Sequence, residues 1–166
     1  MNSKYQIQAE TKVFNSLNDS ICHLRVFDSD DDRYDRTTLL SVNVNSDKII
    51  TIRVDWCNMS GIETEFKTFL IPETEKLFFG ARFFWGVIDL KEVRLMVQKN
   101  CQVFWNFERY LNAVVVISEL AAESYDLSVN KIDEVSVEPP FEVEYFNDKI
   151  EFTSAIFGLQ KLKLNY

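Results

Sequence analysis

Glycine, proline, cysteine and histidine are all scarce in this chain of 166 residues, with 4, 3, 3 and 1 copies respectively. The four glycines are too dispersed to form the glycine-rich loop that cradles phosphates, and no GxSxG nucleophile elbow is present. There is no CxxC pair and no histidine cluster, which argues against a zinc site. Because glycine and proline are few, tight turns must rely on Asn, Asp and Ser.

The cysteines and the histidine give no support for nucleophilic catalysis. Cys22, Cys57 and Cys101 are an odd number at wide spacing, which predicts free, buried thiols in a reducing cytosol rather than a disulfide framework. His23 directly follows Cys22, and adjacent side chains of a strand point to opposite faces. The two are therefore poorly placed as nucleophile and base, so we expect a structural histidine and no enzyme activity.

Long apolar runs and positive charge are also in short supply. No stretch approaches the length of a transmembrane helix, and the polar N-terminus lacks a signal-peptide pattern, so we expect a cytoplasmic protein without membrane contact. The chain has 18 Lys and Arg against 26 Asp and Glu, a formal charge of -8. This balance disfavours nucleic acid as a ligand and favours a basic protein partner. No cofactor and no metal are expected.

Apolar and aromatic residues are abundant, at 46% and 14% of the chain. Short alternating or β-branched segments recur, separated by polar residues that suit turns. The segments predicted to pair are 41–45 with 48–56, 82–90 with 93–97, 101–107 with 111–118, 123–127 with 131–137, and 141–146 with 149–153. The sequence therefore predicts one all-β domain over residues 1–166 with minor helix. Its expected form is an antiparallel β-meander, either open and propeller-blade-like or a two-sheet sandwich.

Two weaker patterns qualify this expectation. Residues 9–20 place apolar side chains at helical spacing, although the same residues could form strand, loop and strand. Two Asp-Leu pairs, Asp89-Leu90 and Asp126-Leu127, lie 37 residues apart, each between two predicted strands. That spacing is close to one four-stranded propeller blade of roughly 40–45 residues. The repeat indicates blade-like units, and coincidence is the alternative.

The segment FDSDDDRYDR (27–36) contains five aspartates. Asp28, Asp30 and Asp32 match the first ligand positions of a calcium EF-hand loop, but Arg33 stands where glycine is required and Leu39 where a bidentate glutamate is required. We therefore expect no calcium site. The segment is either a solvated acidic loop or the rim of a docking surface, whose predicted contact residues are Asp30, Asp31, Asp32, Tyr34 and Asp35.

A second acidic region is larger, because residues 119–151 contain ten acidic residues and two basic ones. If Asn147-Asp148 forms a two-residue turn, Glu144 lies opposite Glu151 on an outer face, where like charges destabilise a sheet. Such a face either protects edge strands and aids solubility, or binds a basic protein. The predicted partner-binding residues of this region are Glu134, Glu138, Glu142, Glu144 and Glu151.

Two segments, FLIPETEKLFFGARFFWGVIDL (69–90) and YDLSVNKIDEVSVEPPFEVEYFNDKIEFTS (125–154), resemble blade-like modules of small bacterial β proteins. With its acidity and lack of catalytic motifs, the chain resembles the small acidic immunity proteins of bacterial toxin–immunity systems, including contact-dependent inhibition and polymorphic toxin systems. The resemblance implies a cytoplasmic, non-enzymatic inhibitor that neutralises a basic cognate toxin domain, commonly a nuclease, through its acidic surface. Exposed aromatics such as Tyr34 or Trp56 could anchor that contact, and Trp56 could equally belong to the core.

Two other functions remain open from the sequence alone. The chain could be a β-rich scaffold or protein-interaction module without a toxin partner. It could also be a β-barrel that binds a small apolar ligand through its many aromatic residues, although these residues could simply fill the core.

Overall fold

In the computed structural model of the protein, residues 5–13, 22–28, 34–44, 48–58 and 64–165 are described. They form fifteen β-strands in four small sheets, and none of these residues is helical. The same residues accordingly contain no helix long and apolar enough to cross a membrane. The predicted all-β class with open, blade-like sheets is confirmed, and there are four sheets where the sandwich alternative required two.

The first sheet is the least regular of the four. Its spatial order is β1-β3-β4-β2, and its members are β1 (Tyr5–Val13), β2 (Leu24–Phe27), β3 (Arg36–Val44) and β4 (Lys48–Trp56). The edge strand β2 pairs with β4 in parallel, which departs from the predicted antiparallel meander. The helix considered for residues 9–20 is wrong for residues 9–13, which pair with β3, and residues 14–20 lie outside the described residues.

The second and third sheets are four-stranded antiparallel meanders with strands in chain order. The second contains β5 (Lys67–Ile71), β6 (Lys76–Ala81), β7 (Phe84–Asp89) and β8 (Arg94–Asn100). The third contains β9 (Phe104–Tyr110), β10 (Ala113–Ser118), β11 (Ala121–Asp126) and β12 (Lys131–Ser136). Apolar side chains fill both faces of the central strands, since β7 and β10 are buried along their whole length.

The fourth sheet has three strands, in the order β13-β14-β15. They are β13 (Phe141–Tyr145), β14 (Lys149–Ser154) and β15 (Gly158–Lys163). Three apolar cores join successive sheets: the first with the second, the second with the third, and the third with the fourth. Each sheet therefore stacks on the next, and none of the four closes into a barrel.

The Asp-Leu repeat marks equivalent turns in the second and third sheets. Asp89 ends β7 and accepts the backbone N–H groups of Lys91 and Glu92 at 2.9 and 3.1 Å. Asp126 ends β11 and accepts the N–H groups of Ser128 and Asn130 at 2.9 and 2.8 Å. In both sheets an aspartate thus organises the turn between the third and fourth strands, in a chain with few glycines.

One glycine is required by close packing. Gly86 on β7 lies opposite Phe79 on β6, and a Cβ atom at Gly86 would meet the Phe79 ring at 2.6 Å and the Val97 carbonyl oxygen at 2.8 Å. Phe79 is fully buried in the core between the first two sheets, so the ring has no room to move away. A side chain at Gly86 would therefore displace the core.

Candidate functional site

The hairpin of β13 and β14 has the register that the sequence predicts. Glu144 lies opposite Glu151, and Val143 opposite Phe152. The apolar side chains of β14 point toward the third sheet, with Phe152 1% exposed, and the acidic residues of the hairpin point to the other face. The expected outer face is therefore present. Its net charge depends on whether a basic side chain pairs with each carboxylate.

Glu151 is neutralised by two lysines on that face. The Lys149 ammonium lies 2.6 Å from the Glu151 carboxylate, and the Lys161 ammonium lies 3.4 Å from it. The hydrogen bond from Lys149 lowers the pKa of Glu151. Lys161 occupies β15, directly opposite Glu151, so it reaches the carboxylate from the third strand. The carboxylate that lies opposite Glu144 is therefore already paired with two cations.

Glu134 belongs to a different surface, in an ionic cluster between the second and third sheets. Its carboxylate pairs with Lys131, and this hydrogen bond lowers the pKa of Glu134. On the adjacent strand Glu123 binds Lys99 at 2.5 Å and Lys131 at 3.2 Å. Since Lys99 comes from β8, the cluster joins the two sheets. Glu134 therefore does not share a face with Glu144.

The same cluster alters two neighbouring groups. Burial, together with the negative charge of Glu123, raises the pKa of the Cys101 thiol to about 12. Burial and the Glu123 charge also raise the pKa of Tyr125, whose hydroxyl donates to Glu123 at 3.1 Å. A thiol held protonated at neutral pH is a poor nucleophile. The three cysteines are free, as predicted, and half-buried rather than buried.

Three of the predicted acidic residues have no ion-pair partner among the described residues. Glu142 and Glu144 are exposed on β13, and Glu138 is half-buried in the segment that leads into this strand. Among the described residues, no Lys, Arg or His lies within ion-pairing distance of these three carboxylates. Glu142 and Glu144 lie on β13, an edge strand of the fourth sheet, and Glu138 precedes that strand; we call these three residues the acidic edge.

Aromatic side chains line the inner side of the acidic edge. Tyr145 is 48% exposed, its ring lies tilted against that of Tyr110 with centroids 5.4 Å apart, and its hydroxyl donates to Glu108 at 3.0 Å. Phe141 stacks on Trp105 at 5.6 Å. Trp105, Glu108 and Tyr110 lie on β9, the edge strand of the third sheet, so two neighbouring edge strands contribute to one surface.

These β9 residues were not predicted as part of a site. Residues 108–110 resembled a turn between two strands, whereas β9 continues to Tyr110 and the turn falls at Leu111-Asn112. Leu111 has a φ of 54°, in the left-handed region that leucine rarely adopts. Asn112, a common turn residue, was the available signal for the later turn.

The aspartate-rich segment of the first sheet is only partly described. Asp30, Asp31 and Asp32 lie outside the described residues. The Asp28 carboxylate accepts the Cys57 N–H at 2.7 Å, and that of Asp35 accepts the Asn58 N–H at 2.6 Å. These two aspartates therefore hold the chain where it leaves β4.

Three further predicted side chains have structural surroundings. The half-buried Tyr34 ring lies 5.3 Å from the Phe27 ring. Trp56 is 1% exposed and donates its ring N–H to Thr38 at 2.9 Å, so it belongs to the core and is not an exposed anchor. His23 accepts the Thr51 N–H through Nδ1 at 3.1 Å.

Cavities and metal-ligating groups do not offer a stronger site. Across the described ranges, no group of three or more His, Cys, Asp and Glu residues is arranged to hold a metal ion. A cleft of about 960 Å³ lies beside β1, and its lining includes Lys12, Arg36, Trp56, Glu65 and Phe66. Among the predicted acidic residues that the structure describes, none lines this cleft. The acidic edge is therefore the most developed candidate site.

Comparison with known proteins does not identify a function for the chain. No protein family matches the chain, and no curated protein matches it. Similar solved structures include Kluyveromyces lactis Hsv2, which is 7% identical, with 61% of this chain and 38% of that chain covered and a TM-score of 0.32. A form titled KlHsv2 with loop 6CD replaced by a Gly-Ser linker is 7% identical, with coverages of 61% and 40% and a TM-score of 0.33. The chain thus spans about two fifths of the length of these proteins.

Proposed function

We propose that this protein is a non-enzymatic inhibitor that binds and neutralises a basic partner protein, in the manner of the immunity proteins that the sequence resembles. The observation that carries the proposal is the acidic edge, where Glu138, Glu142 and Glu144 have no basic neighbour among the described residues. Several other acids, such as Asp55, Glu123 and Glu151, already have basic partners, whereas the two exposed carboxylates of β13 do not. A basic protein would be attracted to this edge and steered onto it.

The neighbouring aromatic surface supplies the second component of binding. Tyr110 and Tyr145 place two rings in contact beside the acids, and tyrosine is common among residues that dominate interface energies. Carboxylates next to such rings can bind the Lys and Arg side chains with which a nuclease contacts phosphates. The partner would lose access to its substrate while the inhibitor performs no chemistry.

Capture and neutralisation together test the proposal. The immobilised chain should retain a specific cationic protein from cells of its source at low salt, and release it as the salt concentration rises. Cells that express the retained protein alone should stop growing, and cells that also express the inhibitor should grow.

A charge-matched variant supplies the control. Glu142→Gln/Glu144→Gln should lose capture and protection, whereas Glu10→Gln/Glu92→Gln removes the same net charge at exposed, paired sites and should keep both. Equal behaviour of the two double variants, or protection by neither the wild type nor the control, would refute the proposed function.

A further inference from the structure

The acidic edge is also an open backbone edge. The Phe146 N–H donates to the Lys149 carbonyl at 2.9 Å, which closes the hairpin of β13 and β14. In an antiparallel pair, residues whose backbone groups face the partner strand alternate with residues whose groups face away. Phe141, Val143 and Tyr145 therefore direct their N–H and C=O groups away from β14. In the part of the chain that the structure describes, these groups have no hydrogen-bond partner.

The opposite edge of the same sheet is partly closed. On β15, the Lys163 N–H donates to the Asp133 carboxylate at 2.9 Å, and the Lys163 carbonyl accepts the Ser124 hydroxyl at 2.5 Å. Lys161 and Lys163 point to the outer face there, and lysines on an edge strand discourage pairing with another chain. The fourth sheet thus has one protected edge and one open edge.

The charges on the outer face indicate which kind of strand could pair with the open edge of β13. In one row across the sheet, Lys161 lies opposite Glu151, and Glu151 lies opposite Glu144. In the next row, Thr153 lies opposite Glu142. Each row ends at β13 with a carboxylate, and a cation on an added strand would stand directly opposite it. Opposite charges on neighbouring strands stabilise their pairing.

We propose that β13 accepts an extended segment of the basic partner as a fourth strand of this sheet. The segment would carry Lys or Arg at two positions separated by one residue, opposite Glu142 and Glu144. The residue between them would be apolar, because it lies opposite the half-buried Val143 on the face where the Tyr145 ring contacts the Tyr110 ring. This inference rests on the proposed function and specifies how its partner docks.

A synthetic peptide provides the direct probe. A peptide of about twelve residues that alternates Lys and Val fits the pattern of charges and apolar contacts described above. A second peptide has the same sequence with N-methyl groups on alternate backbone nitrogens, so it keeps the charges and loses one hydrogen-bonding edge. The first should bind at least tenfold more tightly, and it should slow hydrogen exchange at the amides of Phe141, Val143 and Tyr145.

Proline variants separate the two edges of the sheet. Val143→Pro removes an N–H that faces the open side of β13 and breaks no hydrogen bond of the sheet, so the fold should persist. It should weaken peptide binding about tenfold. Leu159→Pro removes the corresponding outward N–H on β15 and should leave binding unchanged. Circular dichroism and a melting curve establish that both variants remain folded.

Each outcome assigns the edge or overturns the inference. Loss of binding in Leu159→Pro but not in Val143→Pro, or equal binding of the two peptides, would contradict strand addition at β13. A wild-type dimer that Val143→Pro converts to a monomer would assign the edge to a second copy and also overturn it. If Glu142→Gln/Glu144→Gln loses binding while Val143→Pro keeps it, the proposed function stands and strand addition fails. If the wild type binds no basic peptide or protein, both fail.

Discussion

Asp55 of the first sheet and the two carboxylates of β13 in the fourth sheet have opposite surroundings. In the first sheet Asp55 is fully buried and accepts hydrogen bonds from Arg53 at 2.9 Å, Arg25 at 2.8 Å and Thr37 at 2.6 Å. In the fourth sheet Glu142 and Glu144 are exposed, and the described residues place no basic group beside them. Acidic composition alone therefore does not locate a binding surface. The acids that stabilise the fold are those with partners, and the acids available to another protein are those without.

The largest expected effect is at Asp55. Asp55→Ala should destabilise the protein by about 3–5 kcal/mol, because it leaves the buried Arg53 guanidinium without its carboxylate. Urea unfolding followed by tryptophan fluorescence measures this change. Glu142→Gln/Glu144→Gln should unfold at the same urea concentration as the wild type. A similar loss of stability in both variants would erase the distinction between the two sheets.

A smaller effect distinguishes the two Asp-Leu turns. Asp89 is 5% exposed, and its carboxylate binds Lys76 at 2.5 Å in addition to its backbone contacts. The hydrogen-bond partners of Asp126, in contrast, are exposed. Asp89→Asn should therefore cost about 1.5–3 kcal/mol, the range for a hydrogen bond to a charged group. Asp126→Asn should cost about 0.5 kcal/mol, the usual limit for surface sites. Thermal unfolding of the two variants in parallel tests the order, and a larger loss at Asp126 would reverse it.

The smallest effect is expected in the dependence of stability on pH. Burial raises the pKa of Asp89, but hydrogen bonds from Lys76 and the following backbone outweigh it, so the pKa lies below its ordinary value of 3.8. The hydrogen bond from Lys131 holds the pKa of Glu134 below 4.5. A carboxyl group whose pKa is lower in the folded protein than in the unfolded chain stabilises the fold. This stabilisation is complete above the unfolded-state pKa, and it is lost as the pH falls through the folded-state pKa.

Unfolding free energies measured between about pH 6 and pH 3 test this contribution. Stability should begin to decline near pH 4.5, where unfolded glutamates start to take up protons. Asp89→Asn/Glu134→Gln should show a shallower decline than the wild type. A wild-type slope in the first variant would show that these paired acids do not stabilise the fold in the expected way.

Local patterns in the sequence predicted much of the fold. Alternation of side chains and the Asn147-Asp148 turn were sufficient for the register of β13 with β14, because a two-residue turn fixes which residues face each other. The Asp-Leu repeat likewise indicated two equivalent turns. The strands β2, β5, β6 and β15 were not predicted, and β1 was covered only in part, by the strand alternative for residues 9–20. The segments of β1 and β15 are largely polar or exposed, and β6 joins β7 through Arg82-Phe83 without a typical turn residue.

The candidate site was predicted only in part, because charge pairing depends on strands that are distant in sequence. Lys161 reaches Glu151 from β15, and an unrecognised strand could not be counted as its neighbour. Glu134 was grouped with Glu144, but Lys99 and Lys131 define a separate cluster between two other sheets. Neither partnership could be read from the spacing of acids along the chain.

The most direct test of the acidic edge is calorimetric titration of a basic, strand-forming peptide into three proteins at low salt. The account predicts that Glu142→Gln/Glu144→Gln binds about tenfold more weakly than the wild type, a loss of about 1.4 kcal/mol. The charge-matched Glu10→Gln/Glu92→Gln should bind like the wild type. Equal weakening of both variants would show that net charge alone attracts the peptide and would contradict a localised binding edge.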